Sequence, residues 1–308
     1  MKTSTSKRLR WNVAIWLAAG LFMTSASGMA SGPIMPDPKA EARHQPQIEE
    51  TANGIPLVNI TAPSSGGVSR NEYETFNVPD KGAILNNSYT LSKTELAGYV
   101  QGNNNMAERP AKIIVNEVTG AGPTSMDGFL EVAGNRADVV IANPNGITVN
   151  GGGFINTGKA FLTTGKPVYD GEDHLQRFDI TGGDILIEGK GLGGKETESL
   201  AILSRAVKIN AGIWAKDLHI TTGANSIDAK TLEASAIEGK GERPAFALDT
   251  AAIGGMYAGR ITLVGTEKGL GVNNSGTWSA EDNLTLDWNG DLKNSGTIYS
   301  KGNTDLRA

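Results

Sequence analysis

The stretch Asn274-Ser275-Gly276-Thr277 recurs as Asn294-Ser295-Gly296-Thr297, a shift of 294 − 274 = 20 residues. At the same shift Trp278 falls on Ile298, Asn283 on Asn303 and Leu286 on Leu306. A fixed period of this length, made of short β-type runs and turn residues, is the pattern of stacked coils in a β-solenoid. One coil cannot bury its inward side chains alone. Coils stacked about 4.8 Å apart pair every strand with the next and build one continuous core. Asn and Gly at matching positions supply the tight or left-handed backbone at each corner. The competing reading is two similar hairpin turns arising by chance. The solenoid reading predicts that Trp278 and Ile298 share the core and that 266–308 begins a run of such repeats. Ala308 falls inside an unfinished coil with no evident cap, and a bare solenoid end exposes strand edges. The expectation is therefore the N-terminal piece of a longer protein.

The same texture extends upstream to Ile55. Lys112-Ile113-Ile114-Val115, Ala137-Asp138-Val139-Val140-Ile141, Asp184-Ile185-Leu186-Ile187 and Arg260-Ile261-Thr262-Leu263-Val264 are short, rich in β-branched residues and bounded by Gly, Asn, Asp and Ser, which is the strand signal. Thr90–Leu96 fits a short helix, a strand or a loop. Residues 31–54, rich in Pro, Glu and other polar residues without sustained periodicity, read as a flexible lead-in. The organisation expected is a segment 1–30 that is removed, the lead-in 31–54, a main domain 55–265 and the repeats 266–308.

Composition agrees with an all-β chain. Gly contributes 40 of 308 residues, about 13%, roughly twice ordinary usage and without a collagen period. The length accommodates one large domain or two ordinary ones. A formal net charge of -5 argues against a general nucleic-acid binder, which needs a basic surface. The absence of Cys excludes disulfides, thiol nucleophiles and thiolate metal sites. Only His44, His174 and His219 could supply imidazole ligands, which leaves little room for a His-rich metal centre.

At the N-terminus Lys2, Lys7, Arg8 and Arg10 precede the apolar run Trp11–Met23, and small residues follow through Ala30. This is the pattern of a secretory signal peptide. The run is shorter than the ~20 residues that span a bilayer. Cleavage is expected after Ala30 or Ala26, and no second long apolar run follows, so the mature protein is expected to be soluble. A large exported chain without Cys is compatible with a threadable, unfolded state on the way out, although many periplasmic proteins also lack Cys.

Asn143-Pro144-Asn145-Gly146-Ile147 follows a strand and reads as a type I turn. Asn143 takes the first position, Pro144 pre-sets φ at the second, and Gly146 closes it. Asn143 can cap the backbone two residues on, and such a turn suits a solenoid corner.

The wider sequence resembles the secretion domain of two-partner secretion exoproteins, the filamentous haemagglutinin, haemolysin and contact-dependent-inhibition family. The likeness runs from about Leu57 to Ser226. Asn77-Val78 with Gly82–Ser88, Val115-Asn116-Glu117-Val118-Thr119, and Glu131-Val132-Ala133-Gly134 leading through Ala137–Val140 into Asn143–Ile147 carry it; Thr163-Thr164-Gly165 and Ser204-Arg205-Ala206 continue it. The family has an Asn-Pro-Asn-Leu motif before its Asn-Glu-Val strand. Here that place is taken by Asn103-Asn104-Asn105-Met106, with Asn104 for Pro and Met106 for Leu. The loss of Pro removes the pre-set φ, which bears on how much of the motif's role Asn103 and Asn105 retain.

The resemblance implies a right-handed parallel β-helix with an N-terminal cap and extra-helical hairpins. It also implies export by the Sec machinery and recognition in the periplasm of a Gram-negative bacterium. The recogniser would be a dedicated outer-membrane transporter, acting through its periplasmic POTRA domains. The chain would then fold outside, secreted or at the cell surface. Asn143, Pro144, Asn145, Gly146 and Ile147 are the first candidates for the element required for secretion. Asn116, Glu117 and Asn103, Asn104, Asn105 and Met106 come second. No catalytic residue, cofactor, metal or nucleic acid is expected, and the domain is expected to be monomeric.

Two other functions stand beside this one. Parallel β-helices include polysaccharide-degrading enzymes, and Asp170, Glu172, Asp173 and His174 lie in one polar segment; that segment reads equally as a solvated loop. A sugar-binding adhesin could use Trp214, Trp278, Trp288 or Tyr299, although the same rings could fill the coil interior.

Overall fold

The run Phe129–Gly134, Ala137–Ala142, Ile147–Val149 makes one full coil, and its turns explain the rest of the molecule. The computed structural model describes residues 32–107 and 109–307; the leader segment 1–30 lies outside the described residues. Each part of the coil pairs in parallel with the coil before and the coil after. Val132 lies on Leu85 and Leu130 on Phe154 (first face), Val140 between Val115 and Phe161 (second face), and Thr148 between Ser125 and Leu186 (third face). Repetition gives an 18-stranded sheet that wraps the first and second faces and a 7-stranded sheet that forms the third. The architecture is a right-handed parallel β-helix, the sense that parallel crossovers take.

Alternation sets the core. Leu130, Val132, Val139, Ile141, Ile147 and Val149 point inward and join one apolar column that runs the length of the stack. The 20-residue repeat falls in register: Asn274 pairs with Asn294, Thr277 with Thr297 and Leu286 with Leu306. Trp278 is fully buried beside Ile298, and its indole N–H donates to Thr250 Oγ1 at 3.0 Å. Trp288 is buried too and donates to the Leu270 carbonyl at 2.8 Å. Both rings fill the interior, each polar edge satisfied as burial requires. The strand Gly255–Gly265 pairs with Gly212–Thr222 on one side and Leu284–Trp288 on the other. The stack therefore continues without a break past residue 265.

Three insertions leave the helix at its corners, and two of them combine in one sheet. Lys166–Tyr169, Leu175–Ile180, Asn225–Asp228 and Ala234–Ala236 form a four-stranded antiparallel sheet. It covers the outside of the second face, where Val68, Val115, Val140, Phe161, Phe178 and Ile227 make a second apolar layer. This cover explains why Ala137–Ala142 is apolar on both sides. The third insertion, Ser92–Thr94 with Gly98–Val100, covers Leu57 and Ile84 on the first face through Leu96 and Val100. Within Thr90–Leu96 the structure has a short strand and a turn, not a helix.

The flexible lead-in expected at 31–54 is corrected. Ile34–Pro36 pairs antiparallel with Val68–Phe76, and Gln47–Glu50 pairs antiparallel with Pro56–Asn59, with a 3₁₀ turn at Ala42–His44 between them. These strands occupy the open edge of the first coil, whose unpaired backbone would otherwise invite association. Their outer side faces water, so their composition is that of a polar linker although each is paired along one edge with a strand of the first coil.

Candidate functional site

Asn143 stands at the corner between the second and third faces and is completely buried. Its Nδ2 donates to the Gly122 carbonyl and to Thr124 Oγ1, both at 3.0 Å, one coil below. Its Oδ1 accepts the Asn145 backbone N–H at 2.9 Å and Asn145 Nδ2 at 3.0 Å. The Gly146 N–H closes the turn on the Asn143 carbonyl at 3.1 Å. Asn145 reaches down to the Gly120 carbonyl at 2.8 Å. Gly146 has φ +111°, a conformation that disfavours any side chain, and an added Cβ would meet the Asp184 carbonyl oxygen at 3.0 Å. Ile147 points into the core between Thr124 and Ile185. Pro144 and Asn145 are exposed at the tip.

Asn103 builds the same device at the preceding coil's corner, between the first and second faces. Its Oδ1 accepts the Asn105 N–H at 3.0 Å, and its Nδ2 donates to the carbonyls of Ile60 at 2.8 Å and Asn86 at 2.9 Å. Asn105 Nδ2 also reaches the Ile60 carbonyl, at 3.1 Å. Met106 is buried in the core and its N–H bonds the Asn103 carbonyl at 3.1 Å. Asn104 begins a 3₁₀ turn capped by Asn103, so the turn forms without Pro. In both motifs the first Asn stitches one coil to the one below while folding the chain over itself.

Asn116 and Glu117 point opposite ways from one strand. Asn116 faces inward, accepts from Tyr73 Oη at 2.9 Å and donates to the Val140 carbonyl at 3.1 Å. Glu117 faces outward beneath the antiparallel sheet. Burial raises its pKa to about 7 against the pull of Arg70, whose guanidinium lies 3.7 Å away. The two residues are structural neighbours of different layers and do not join either Asn turn in one cluster.

Arg70, which the sequence reading did not single out, organises a charged socket. It contacts Glu72 at 2.8 Å and Asp173 at 3.8 Å, and covers the Tyr169 ring at 4.3 Å. Asp173, at the tip of the antiparallel sheet, also binds Arg43 at 2.6 Å and lies 3.7 Å from His44. His44 is buried and its Nδ1 lies 3.0 Å from a Glu72 carboxylate oxygen. Asp170 caps its own loop by accepting the N–H groups of Glu172 and His174. The 170–174 segment is thus a plug that pins the antiparallel sheet to the N-terminal cap. The only sequence signal was the alternation Arg70-Asn71-Glu72, which puts both charges on one side of a strand.

A family model described as the TPS secretion domain matches residues 33–298. Toxin CdiA of Yersinia pestis is 43% identical over 298 residues, covering 89% of this chain and 9% of that protein. The 16S rRNA endonuclease CdiA of Enterobacter cloacae is 44% identical over 284 residues, covering 91% of this chain and 8% of its own. The crystal structure of the filamentous hemagglutinin secretion domain superposes with a TM-score of 0.76 at 30% identity, covering 90% of this chain and all of that one. The chain spans 8–9% of the length of these CdiA relatives. By model, sequence and fold together, this chain belongs to the TPS secretion domain family, the secretion-targeting domain of large exoproteins that Gram-negative bacteria release or display with a dedicated outer-membrane transporter.

Proposed function

We propose that Asn143–Ile147 is the element of this domain required for secretion, with Asn103–Met106, Asn116 and Glu117 in support. The precursor is exported by the Sec machinery, loses residues 1–30 (or 1–26) and reaches the periplasm unfolded. There the transporter's POTRA domains take up the chain by strand addition, which needs backbone hydrogen bonds more than particular side chains. The domain passes outward as a monomer and folds outside the cell. Stacking of coils then opposes return. The effector activity of the full-length protein belongs to regions beyond this domain, which itself acts without catalysis.

The observation that carries this reading is the exposed tip of the corner, Pro144 and Asn145, held on a side chain whose every polar atom is already engaged. The test is secretion of Asn143→Ala and Thr124→Val in cells carrying the transporter. Thr124→Val removes one of Asn143's acceptors in the folded corner but leaves the motif sequence intact. The proposal predicts that Asn143→Ala accumulates in the periplasm while Thr124→Val is largely secreted. Normal secretion of Asn143→Ala, or equal loss in both, would remove the motif's assigned role.

A further inference from the structure

Outside the hairpin's cover, the first face of the solenoid carries aromatic rings on a single register line. Phe129 leads through Gly153 and Gly193 to Trp214, Trp214 pairs with Tyr257, and Tyr299 follows two coils on. Phe129, Tyr257 and Tyr299 are 44%, 39% and 50% exposed, and Trp214 is half-buried. At about 4.8 Å per coil, the six steps from Phe129 to Tyr299 span about 29 Å.

Glycines let these rings lie down. A Cβ on Gly212 would fall 2.5 Å from the Trp214 ring, one on Gly255 2.8 Å from the Tyr257 ring, and one on Gly153 2.4 Å from the Phe129 ring. Each ring therefore rests against bare backbone. The Trp214 and Tyr257 planes differ by 16° with centroids 6.2 Å apart, so the two rings are nearly parallel neighbours. The result is a long, shallow strip of ring surface, a kind of exposed apolar feature that marks interaction sites.

We propose that this strip binds an extended, neutral polysaccharide once the domain has folded. The C–H groups of a sugar ring carry slight positive charge and fit the negative face of an aromatic ring. Sugar hydroxyls find partners in Thr277 and Thr297, which flank the line in the same strands. Of the charges beside the strip, Lys301 pairs with Glu281 and Arg260 with Asp217, while the exposed Lys195 and Lys216 next to Trp214 can donate to sugar hydroxyls. A polyanion would need a continuous row of uncompensated cations, and a protein side chain would need a cavity to fill. One outward position per coil also suits a polymer of repeated units. The role is additional to secretion targeting and belongs to the folded domain.

The test is native affinity electrophoresis of the purified chain in gels containing hydroxyethylcellulose, laminarin or mannan, three neutral polymers. Retardation in at least one gel is expected, weakened about tenfold by Trp214→Ala and by Tyr257→Ala and largely kept by Trp214→Phe. Melting curves verify that each variant is folded, and Tyr299→Ala at the last described coil replaces any that is not. No retardation in all three gels, or equal retardation of folded variants, would overturn the proposal. So would a dimer in sedimentation that Tyr257→Ala dissolves, because a second copy would then occupy the strip.

Discussion

Asn143 and Asn103 show how much of a corner a single side chain can hold. Each accepts the N–H two residues on and donates to carbonyls of another coil, so truncation strands several buried backbone groups at once. Asn143→Ala should lower folding stability by about 1–3 kcal/mol, read as a shift of the urea midpoint, while Asn145→Ala at the exposed tip should cost less. The Asx cap was legible in the sequence because it is local and follows from residue type. Which carbonyls the amides reach was not, since Gly122 and Ile60 are brought there by stacking alone. Glu117 adds a pH prediction. Its folded pKa of about 7 stands above the ordinary glutamate value of 4.5, so its protonation stabilises the fold. That contribution is complete below pH 4.5 and lost as pH rises through 7, amounting to about 3 kcal/mol. The groups facing it are Arg70 and Glu72 from the adjacent strand and Lys166 and Tyr169 from the antiparallel sheet. Glu117→Gln should flatten this part of the pH–stability curve and raise stability at pH 8. An unchanged slope between pH 5 and 8 would mean that Glu117 stays solvated.

At the scale of elements, the antiparallel sheet and the cap are joined by one plug. Asp173 meets Arg43, His44 and Arg70 at a backbone φ of 58°, a left-handed conformation that the surrounding contacts must hold in place. Asp173→Ala should leave the solenoid folded but open the 170–174 loop, seen as faster proteolytic cleavage there with little change in the main melting transition. Cleavage at the wild-type rate would show that the apolar layer of Phe178 and Ile227 suffices to hold the sheet. Neither this plug nor the cap was legible in advance. The segment Asp170–His174 is polar throughout and looks like any solvated loop; only the fold brings it to residues 130 positions away. The cap strands lack a core-facing period because one edge, not one side, is what they contribute. The central strands were legible because β-branched runs between turn residues leave few alternatives.

For the whole molecule, the 20-residue repeat announced the solenoid, and the register Asn274–Asn294 with the Asn274 Nδ2 to Asn294 Oδ1 bond at 2.8 Å is its physical counterpart. Asn294→Ala should therefore loosen the last coils preferentially, detected as faster amide exchange in 292–307 than in 130–150. The hairpin covers part of the first face and the antiparallel sheet covers the second, which leaves the aromatic strip as an open apolar line, a disposition no periodicity could reveal because aromatic residues, glycines and a serine share the line without a fixed order. The central claim, that this domain directs the chain through its own transporter, is tested most directly by expressing the chain with and without that transporter and assaying the medium for the mature protein. The account predicts transporter-dependent appearance of the folded, protease-resistant domain in the medium. Retention in the periplasm beside a working transporter would contradict it.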